Sequence, residues 1–416
     1  MKILMVNKFL YPNGGSETYI FKLGEQLQKM GHEVQYFGME HEGRIVGNRA
    51  QLYTTDMDFY GGGLRKLLYP VRIIYSAEAK KKMRLVLEDF QPDVVHLNNI
   101  NFQLTPSVIY AVRACEKKHG RHIRLVYTAH DYQWICPNHM MRVPATGEIC
   151  FACRGGDFKQ CSKKRCIHNS RIKSLLGTIE AVYYAKRKTY GMVDVILCPS
   201  EFMKKQLDSD PLLAEKTVMM HNFLDVPAKA GSISDGDKIQ QSGQNSRVSG
   251  GKDYVLYFGR FSEEKGTRTL LEACKELPDI PFVFAGTGPL EELVDQVPNV
   301  ENRGFVSGEA LHSLIAGARF SVYPSEWYEN CPFSVMESQM YGTPVLASDL
   351  GGAPELVQAG YTGDLFRGGD AQELTEHIRD LWNDPELCRA YSQNCQTINF
   401  DTVEEYCDKI VRKVYM

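Results

Sequence analysis

The sequence predicts an α/β protein with two doubly wound Rossmann-like domains that face each other across a cleft. Short apolar runs alternate with helical patterns in both halves of the chain, which is typical of parallel sheets covered by helices. The alternation is interrupted at residues 228–252, which are rich in Gly, Ser, Gln and Asp. A length of 416 residues also exceeds what one ordinary core accommodates. We therefore predict two domains with a linker between them.

The first domain is predicted to span residues 1–222. Its apolar runs are short and are separated by Gly-containing or Pro-Asp turns, which is the pattern of buried strands in a parallel sheet. The predicted elements are a strand from Lys2 to Asn7, a helix capped by Ser16 that ends at Met30, strands from Glu33 to Phe37, Val94 to Leu97, Arg124 to Thr128 and Val193 to Cys198, and a helix from Lys80 to Phe90.

The second domain is predicted to span residues 253–400, after a linker or mobile segment at residues 223–252. It begins with a strand from Tyr254 to Phe258, and the run from Phe282 to Ala285 is predicted to be another strand. The terminal segment, residues 401–416, has apolar residues at helical spacing and is predicted to be a helix.

Composition indicates a cytoplasmic protein. No run of about 18 apolar residues is present, so we expect no membrane-spanning helix. The run from Met1 to Asn7 is too short for a secretory signal and is predicted to be the first strand instead. In a reducing compartment the twelve cysteines are not expected to form a disulfide framework.

Charge is distributed unevenly between the two halves. Residues 1–222 carry 32 Lys and Arg against 21 Asp and Glu, a net charge of +11, whereas residues 223–416 carry 16 against 30, a net charge of −14. The basic half is expected to meet an anionic membrane surface, a lipid phosphate or nucleic acid, although drift of surface composition also explains it. Basic and apolar residues mix between Arg65 and Arg84, as in a helix at the inner face of a membrane or one packed on the core.

Two carboxylates stand eight positions apart in the stretch from Glu329 to Glu337. Pro332 suits the first turn of a helix because it lacks the N–H that would be unpaired there. The N–H groups from Phe333 to Val335 then point outward where the helix dipole is positive, which suits a diphosphate. Glu337 and Glu329 are expected to reach hydroxyls of the attached sugars. The alternative is a helix start with two solvated glutamates.

Two cations and three glycines are predicted to bind phosphate or to let a ligand approach the backbone. Arg260 and Lys265 follow a predicted strand, where a guanidinium fork and an ammonium can grip a diphosphate. The alternative is a solvated turn in which neighbouring glutamates pair with these cations. Gly15, Gly259 and Gly286 also follow predicted strands, where the missing side chain gives a ligand access, although such glycines also make simple tight turns.

His130 is predicted to lie at the end of a strand in the first domain. It is followed by Asp131 and is expected to hydrogen-bond a sugar hydroxyl or to carry a proton near neutral pH. A structural histidine is the alternative.

Five cysteines lie close together in an insert of the first domain, residues 136–168. Cys150 and Cys153 have the spacing of metal ligands. Thiolates at four of the five positions are expected to hold one structural zinc, and an iron–sulfur cluster, which needs the same ligands, is the less favoured metal group. Free thiols or one disulfide are the alternative. The candidate ligands are Cys136, Cys150, Cys153, Cys161 and Cys166.

The motifs, in this order, resemble those of group 1 glycosyltransferases of family 4, which have the two-domain GT-B architecture. Many relatives have Gly-Phe after the first glutamate, where this chain has Asn330-Cys331-Pro332-Phe333, so the identity of the donor sugar is not carried over. The resemblance runs from about Met1 to the end and rests on Gly14-Gly15-Ser16-Glu17, Pro92-Asp93-Val94-Val95-His96, His130-Asp131, Pro199-Ser200-Glu201-Phe202, Gly259-Arg260 with Lys265-Gly266, and Glu329 to Glu337.

This resemblance implies a retaining transferase that takes a sugar from a nucleotide diphosphate sugar and needs no cofactor. It implies that Arg260 and Lys265 hold the diphosphate, that Glu337 binds the ribose, that Glu329 faces the donor sugar and that His130 lies near the reacting centre. The other candidates for donor binding are Gly15, Gly259, Gly286, Asn330, Cys331, Pro332, Phe333 and Ser334.

The resemblance also implies an acceptor bound mainly by the first domain. Relatives of this type often extend lipid-linked glycans, so a glycan or a polyprenyl-diphosphate-linked acceptor in cell-surface polysaccharide assembly is expected. The terminal helix is expected to cross back onto the first domain.

Two other functions stay open from the sequence. One is a nucleic-acid-binding protein with a zinc-stapled basic domain, although RNP-like and helix-turn-helix signals are missing. The other is a sugar-nucleotide epimerase or a phosphorylase of the same fold, although no pyridoxal lysine site is recognisable.

Overall fold

The computed structural model describes residues 1–56, 69–224 and 253–416. The greater part of the predicted linker, residues 225–252, therefore lies outside the described residues.

The described chain forms two compact units that are discontinuous in sequence. The first comprises Met1–Asn222, Trp327–Cys331 and Val403–Met416, and the second comprises Phe223–Glu326 and Pro332–Thr402. The segment Trp327–Cys331, which carries Glu329, was expected in the second domain and belongs instead to the first unit. The cleft between the two sheets stays a prediction.

The first unit is an α/β domain built on one parallel sheet of six strands. The strands are β1 (Lys2–Val6), β2 (Glu33–Phe37), β3 (Val94–Leu97), β4 (Arg124–Thr128), β5 (Val195–Cys198) and β6 (Thr217–Met219). The helices are α1 (Gly15–Lys29), α2 (Tyr69–Ile74), α3 (Ala77–Phe90), α4 (Ser107–His119), α5 (Lys159–Lys163), α6 (Arg171–Lys186) and α7 (Glu201–Leu207). The strand order β2-β1-β3-β4-β5-β6 is that of a doubly wound sheet, as predicted.

Helix α3 shows how the sequence builds this unit. Its buried residues include Met83, Val86, Leu87 and Phe90, whose spacing places them on one face of the helix. The helix begins three residues before the predicted start because the Ser76 side chain accepts a hydrogen bond from the N–H of Ala79 and caps it. Ser76 is a recognisable capping residue in the sequence, and the predicted start at Lys80 did not take it into account.

Helix α1 begins at Gly15, and the predicted cap at Ser16 is wrong. Gly14 occupies the capping position and no side chain caps the helix. Ser16 lies inside the first turn and donates to the buried carboxylate of Glu17 (Oγ–Oε2 3.1 Å). Glu17 also accepts from the Asn7 side chain (Nδ2–Oε1 2.9 Å), so the first turn is fixed to the end of β1 instead of being capped.

The second unit repeats the same architecture. Its strands are β7 (Val255–Phe258), β8 (Phe282–Ala285), β9 (Val300–Asn302), β10 (Phe320–Tyr323), β11 (Val345–Ser348) and β12 (Gly363–Phe366). Its helices are α8 (Thr267–Lys275), α9 (Glu291–Val294), α10 (Gly308–Gly317), α11 (Phe333–Met340), α12 (Ala371–Asn383) and α13 (Pro385–Cys395). The parallel strands are ordered β12-β11-β10-β7-β8-β9, so the prediction of two doubly wound α/β domains is confirmed.

The last helix, α14 (Val403–Ile410), and the π-helical turn Val411–Tyr415 belong to the first unit. The Tyr406 hydroxyl lies 2.8 Å from the Tyr19 hydroxyl on α1, and the Tyr415 hydroxyl lies 2.7 Å from Nδ1 of His96 on β3. All four side chains are buried. The end of the chain therefore completes the core of the first unit with paired polar groups, which avoids the cost of burying them unpaired.

The basic segment from Arg65 to Arg84 is not one continuous helix. Residues 57–68 lie outside the described residues, and α2 ends at Ile74 before α3 begins at Ala77. Arg72 and Lys82 both pair with Glu78, which offsets part of the local positive charge. Within the described ranges, no helix has the length and apolar character needed to cross a membrane.

Glu180 on α6 is a buried carboxyl with a measurable consequence for stability. Its side chain is 1% exposed, and Oε1 has no hydrogen-bond partner among the described residues. Burial raises the pKa of Glu180 to about 8. The folded state therefore holds this proton more tightly than the unfolded state. Stability is fully present below the unfolded pKa of about 4 and is lost as pH rises toward 8.

We predict that Glu180→Gln increases the free energy of unfolding by about 1–3 kcal/mol at pH 8 and by much less at pH 5.5, because glutamine has no charged form to exclude from the core. Thermal unfolding of both proteins at the two pH values measures the difference. The exposed Glu42→Gln change is the control and should shift neither midpoint. An equal gain at both pH values would contradict the assignment.

Candidate active site

The predicted diphosphate-binding cations follow strand β7 in the second unit. Arg260 is exposed and Lys265 is partly buried. The sequence left open that neighbouring glutamates neutralise these cations, and one of those glutamates, Glu263, pairs with Arg268 (Oε1–Nη2 2.6 Å). In the part of the chain that the structure describes, Arg260 forms no ion pair. Its guanidinium is thus available to an anion at the carboxyl edge of the sheet, where ligands of such sheets bind.

The glycines around this edge are required by close packing of backbone on backbone. A Cβ atom at Gly286 would lie 1.8 Å from the carbonyl oxygen of Gly259, and one at Gly266 would lie 1.7 Å from that of Pro324. Gly259 has φ +151°, a conformation that disfavours other residues. These contacts explain the glycines without a ligand, and the role of Gly259 and Gly286 in donor binding stays a prediction.

Helix α11 begins where the sequence predicts. Pro332 occupies the capping position with φ −68° and ψ 121°, one residue before the first helical position, and no side chain caps the helix. The amides of Phe333, Ser334 and Val335 are the first of the helix, where N–H groups lack intrahelical acceptors. The helix start is therefore suited to an anion, as expected.

Glu337 lies one turn into α11 and is partly buried. Burial raises the pKa of Glu337 to about 7, because the charged form is less well solvated there. A carboxylate in this environment gains from hydroxyl donors that replace the missing water.

His130 of the first unit follows β4 and is partly buried. Its Nε2 lies 2.8 Å from Oδ1 of Asn98, so Nε2–H donates to the amide oxygen and Nδ1 is left as the acceptor. The ring meets that of Tyr19 edge-on at 5.3 Å. Burial lowers the pKa of His130 to about 3. A neutral histidine favours the predicted hydrogen-bonding role over the proton-carrying one.

The segment from Trp327 to Cys331 is fixed to the first unit by hydrogen bonds. Asn330 donates from Nδ2 to the carbonyl oxygen of His130 at 2.7 Å. The Trp327 indole N–H donates to the carboxylate of Glu329. Cys331 is buried and accepts twice from Asn222, at Sγ from the backbone N–H (3.3 Å) and at the carbonyl oxygen from Nδ2 (3.0 Å). Asn330 and Cys331 thus have structural partners, and their binding of a donor stays a prediction.

The sequence analysis missed a group of polar residues at the carboxyl edge of the first sheet. Asn7 follows β1, and its Oδ1 accepts from the N–H of Asn99 (3.0 Å). Asn99 donates from Nδ2 to the Ser16 hydroxyl at 2.9 Å, beside the exposed Gly15. Asn98, the partner of His130, follows β3. The signal was present, since a polar residue directly after a buried strand lies at the ligand-binding edge.

The five candidate metal ligands line one small cavity of the first unit. The sulfur atoms of these cysteines are too far apart in the described structure to coordinate one metal ion without moving. Within the described residues, Glu88, Cys115 and His119 are the group whose potential ligand atoms all lie within 4.8 Å of one another.

Comparison with known proteins identifies the family of the chain. The family model for glycosyl transferases group 1 matches residues 238–397, and the model for Glycosyltransferase Family 4 matches residues 13–227. The chain is 27% identical to an uncharacterized glycosyltransferase of Methanocaldococcus jannaschii over 60% of this chain and 66% of that protein. It is 30% identical to the sulfoquinovosyl transferase of Arabidopsis thaliana over 48% of this chain and 40% of that enzyme. The chain thus spans less than two thirds of the length of these relatives.

A solved structure shows the same fold. Anabaena HepE in complex with UDP has a TM-score of 0.63 and 18% identity to this chain, over 99% of this chain and 100% of that one. At this level of identity the likeness supports the two-domain α/β architecture.

We predict that His130 remains neutral, protonated at Nε2, from pH 8 down to pH 5. Long-range proton–nitrogen NMR spectra of the imidazole report both the tautomer and the charge, and the His130→Gln variant assigns the signal. Ring nitrogen shifts that titrate between pH 6 and 7 would contradict the neutral, Asn98-bonded state.

Proposed function

Because the chain belongs to the group 1 glycosyltransferases of family 4, we propose that it moves a sugar from a nucleotide diphosphate sugar to an acceptor hydroxyl. The observation that carries the proposal is the anion site of the second unit. Arg260 and Lys265 follow β7, and the uncapped helix start after Pro332 follows β10, the strand next to β7 in the sheet. Neighbouring parallel strands end at the same edge, so these groups serve one diphosphate.

The chemical step requires stabilisation of the departing diphosphate. A guanidinium, an ammonium and helix amides at the strand ends would offset its developing charge, and one such contact is worth roughly 2–4 kcal/mol by analogy with oxyanion-hole donors. Retention of configuration by attack on the same face needs no protein nucleophile, and we assign none. His130, neutral and with Nδ1 as an acceptor, would bind a hydroxyl near the reacting centre.

The donor is a nucleotide diphosphate sugar in this proposal. Anabaena HepE, which shares the fold, has been solved with UDP and with UDP-glucose, and this supports a donor of that class. Glu337 would accept from ribose hydroxyls, and Glu329, held by the Trp327 indole, would face the transferred sugar. The base and the sugar are to be identified by binding.

The acceptor in this proposal is a glycan or a polyprenyl-diphosphate-linked glycan at the inner face of the membrane, in cell-surface polysaccharide assembly. The net charge of +11 on residues 1–222 supports an anionic acceptor or surface. Each Lys or Arg near an anionic surface contributes about 1 kcal/mol, so a few suffice for reversible binding.

Arg260→Ala and Lys265→Ala are each predicted to lower turnover about 100-fold, because each removes a charge that stabilises the leaving diphosphate. Sugar transfer from a panel of uridine, guanosine and adenosine diphosphate sugars, measured with and without acceptor, also separates transfer from epimerisation.

Arg268→Ala is the matched control. Arg268 lies in the same region and is paired with Glu263, so its loss should leave turnover unchanged. Wild-type turnover in both the Arg260 and the Lys265 variants would refute the site.

Donor affinity is predicted to depend on pH through Glu337. With a pKa of about 7 in the free protein, Glu337 is ionised at pH 8 and mainly protonated at pH 6. A protonated carboxyl is a poorer acceptor for ribose hydroxyls, so the Kd of the donor should rise about tenfold between pH 8 and pH 6. Isothermal titration with an intact nucleotide sugar, whose diphosphate does not titrate in this range, measures it.

The Glu337→Gln variant should bind the donor weakly with the same Kd at both pH values. A pH dependence that persists in this variant would assign the effect to another group.

A further inference from the structure

The cysteine-rich insert encloses a cavity lined by five cysteines and four polar residues. Its residues come from the turn after β4, the Cys150–Cys153 segment, helix α5 and the turn that follows it. The wall consists of Cys136, Asn138, Arg142, Cys150, Cys153, Gln160, Cys161, Lys164 and Cys166.

The size of this cavity suits a single ion. The cavity has a volume of about 10 Å³. That is room for about one small particle, such as a single metal ion. Cys153, Cys161 and Cys166 are 8%, 1% and 6% exposed, so an ion held there is shielded from water on most sides.

Three of the five cysteines, Cys153, Cys161 and Cys166, belong to one buried cluster. Cys136 lines the same cavity. The Cys150 sulfur accepts a hydrogen bond from Lys164 (Nζ–Sγ 3.4 Å), so it already has a cationic partner.

The charges around the cavity match a thiolate-bound divalent ion. Four thiolates and one Zn²⁺ carry a net charge of −2, and Arg142 and Lys164 in the wall supply two positive charges.

The insert has little regular secondary structure. Helix α5 has five residues, and His139, Met141 and Arg165 adopt positive φ angles of 60°, 50° and 52°, which cost free energy in residues other than glycine. A segment of this kind holds its shape when a cross-link ties its parts together.

We propose that Cys136, Cys153, Cys161 and Cys166 bind one structural Zn²⁺ in a tetrahedral site, and that Cys150 is not a ligand. The four thiols release their protons on binding, and no redox step is involved. A Zn–S distance of about 2.3 Å sets sulfur–sulfur distances of about 3.8 Å. No three of the five sulfurs of the described structure lie mutually within 4.8 Å, so binding draws them inward.

Such a site would also support the segment that carries Glu329. Phe151, between two of the cysteines, packs against Tyr328 with ring centroids 5.7 Å apart, and Tyr328 packs against Phe202 at 4.5 Å. The zinc would act on Glu329 only through this packing. This last step rests on the proposed function, whereas the metal site does not.

Zinc content of the full-length protein, purified without chelator, tests the proposal directly. About one zinc per chain is expected by elemental analysis and by native mass spectrometry. Each of the substitutions Cys136→Ser, Cys153→Ser, Cys161→Ser and Cys166→Ser should abolish stoichiometric zinc and lower the midpoint of thermal unfolding. Removal of the metal from the wild-type protein should lower this midpoint as well.

Two matched controls define the site. Cys150→Ser should keep its zinc, since the Cys150 sulfur is paired with Lys164. Cys115→Ala should also keep it, because Cys115 belongs to the separate group with Glu88 and His119. Loss of zinc in either the Cys115 or the Cys150 variant would overturn the assignment.

Cobalt substitution makes the test independent of variants that fold poorly. Co²⁺ in the wild-type protein should show the visible bands of tetrahedral coordination and strong sulfur-to-metal charge transfer. Metal-free wild-type protein with no spectral response to Co²⁺, protein containing iron in place of zinc, or a mass that indicates a disulfide among the five cysteines would each refute the proposal.

Discussion

Parallel strand pairing is the constraint on which the sites of this protein depend. Every strand of a parallel sheet runs in the same direction, so every strand ends at the same edge, and residues far apart in sequence meet there. In the first unit this edge brings together Asn7, Asn98 and His130. In the second unit Arg260 follows β7, and helix α11 follows the neighbouring strand β10. Helices cover both faces of each sheet, so these strand ends are the place where polar side chains can meet a ligand.

Burial has opposite effects on two ionisable groups, His130 in the first unit and Glu337 in the second. Desolvation lowers the pKa of His130 because it disfavours the cation, and it raises the pKa of Glu337 because it disfavours the anion. The histidine is thereby kept neutral as a hydrogen-bonding group. The carboxylate is left poised near neutral pH, where the hydroxyls of a ligand can decide its charge.

The sequence predicts those features that depend on neighbours along the chain. The alternation of strands and helices, the start of α11 at Pro332 and the position of His130 after β4 all follow from local patterns. The partners of these residues do not. Asn330 meets the carbonyl of His130 across 200 positions, and Asn222 meets Cys331 across 109, so sequence spacing alone placed the segment from Trp327 to Cys331 in the wrong unit. Ser16 failed as a cap for the same reason, since the distant Asn7 fixes Glu17.

The buried contacts of Tyr406 and Tyr415 have a consequence for synthesis of the protein. The core of the first unit contains side chains from both ends of the described chain, with the second unit encoded between them. On the ribosome, the first sheet can form early, but the hydroxyl of Tyr19 and the imidazole of His96 must await partners that are made 387 and 319 residues later. Until then the nascent first unit lacks the side chains of Tyr406 and Tyr415 that complete its buried core, which gives chaperones a surface to protect.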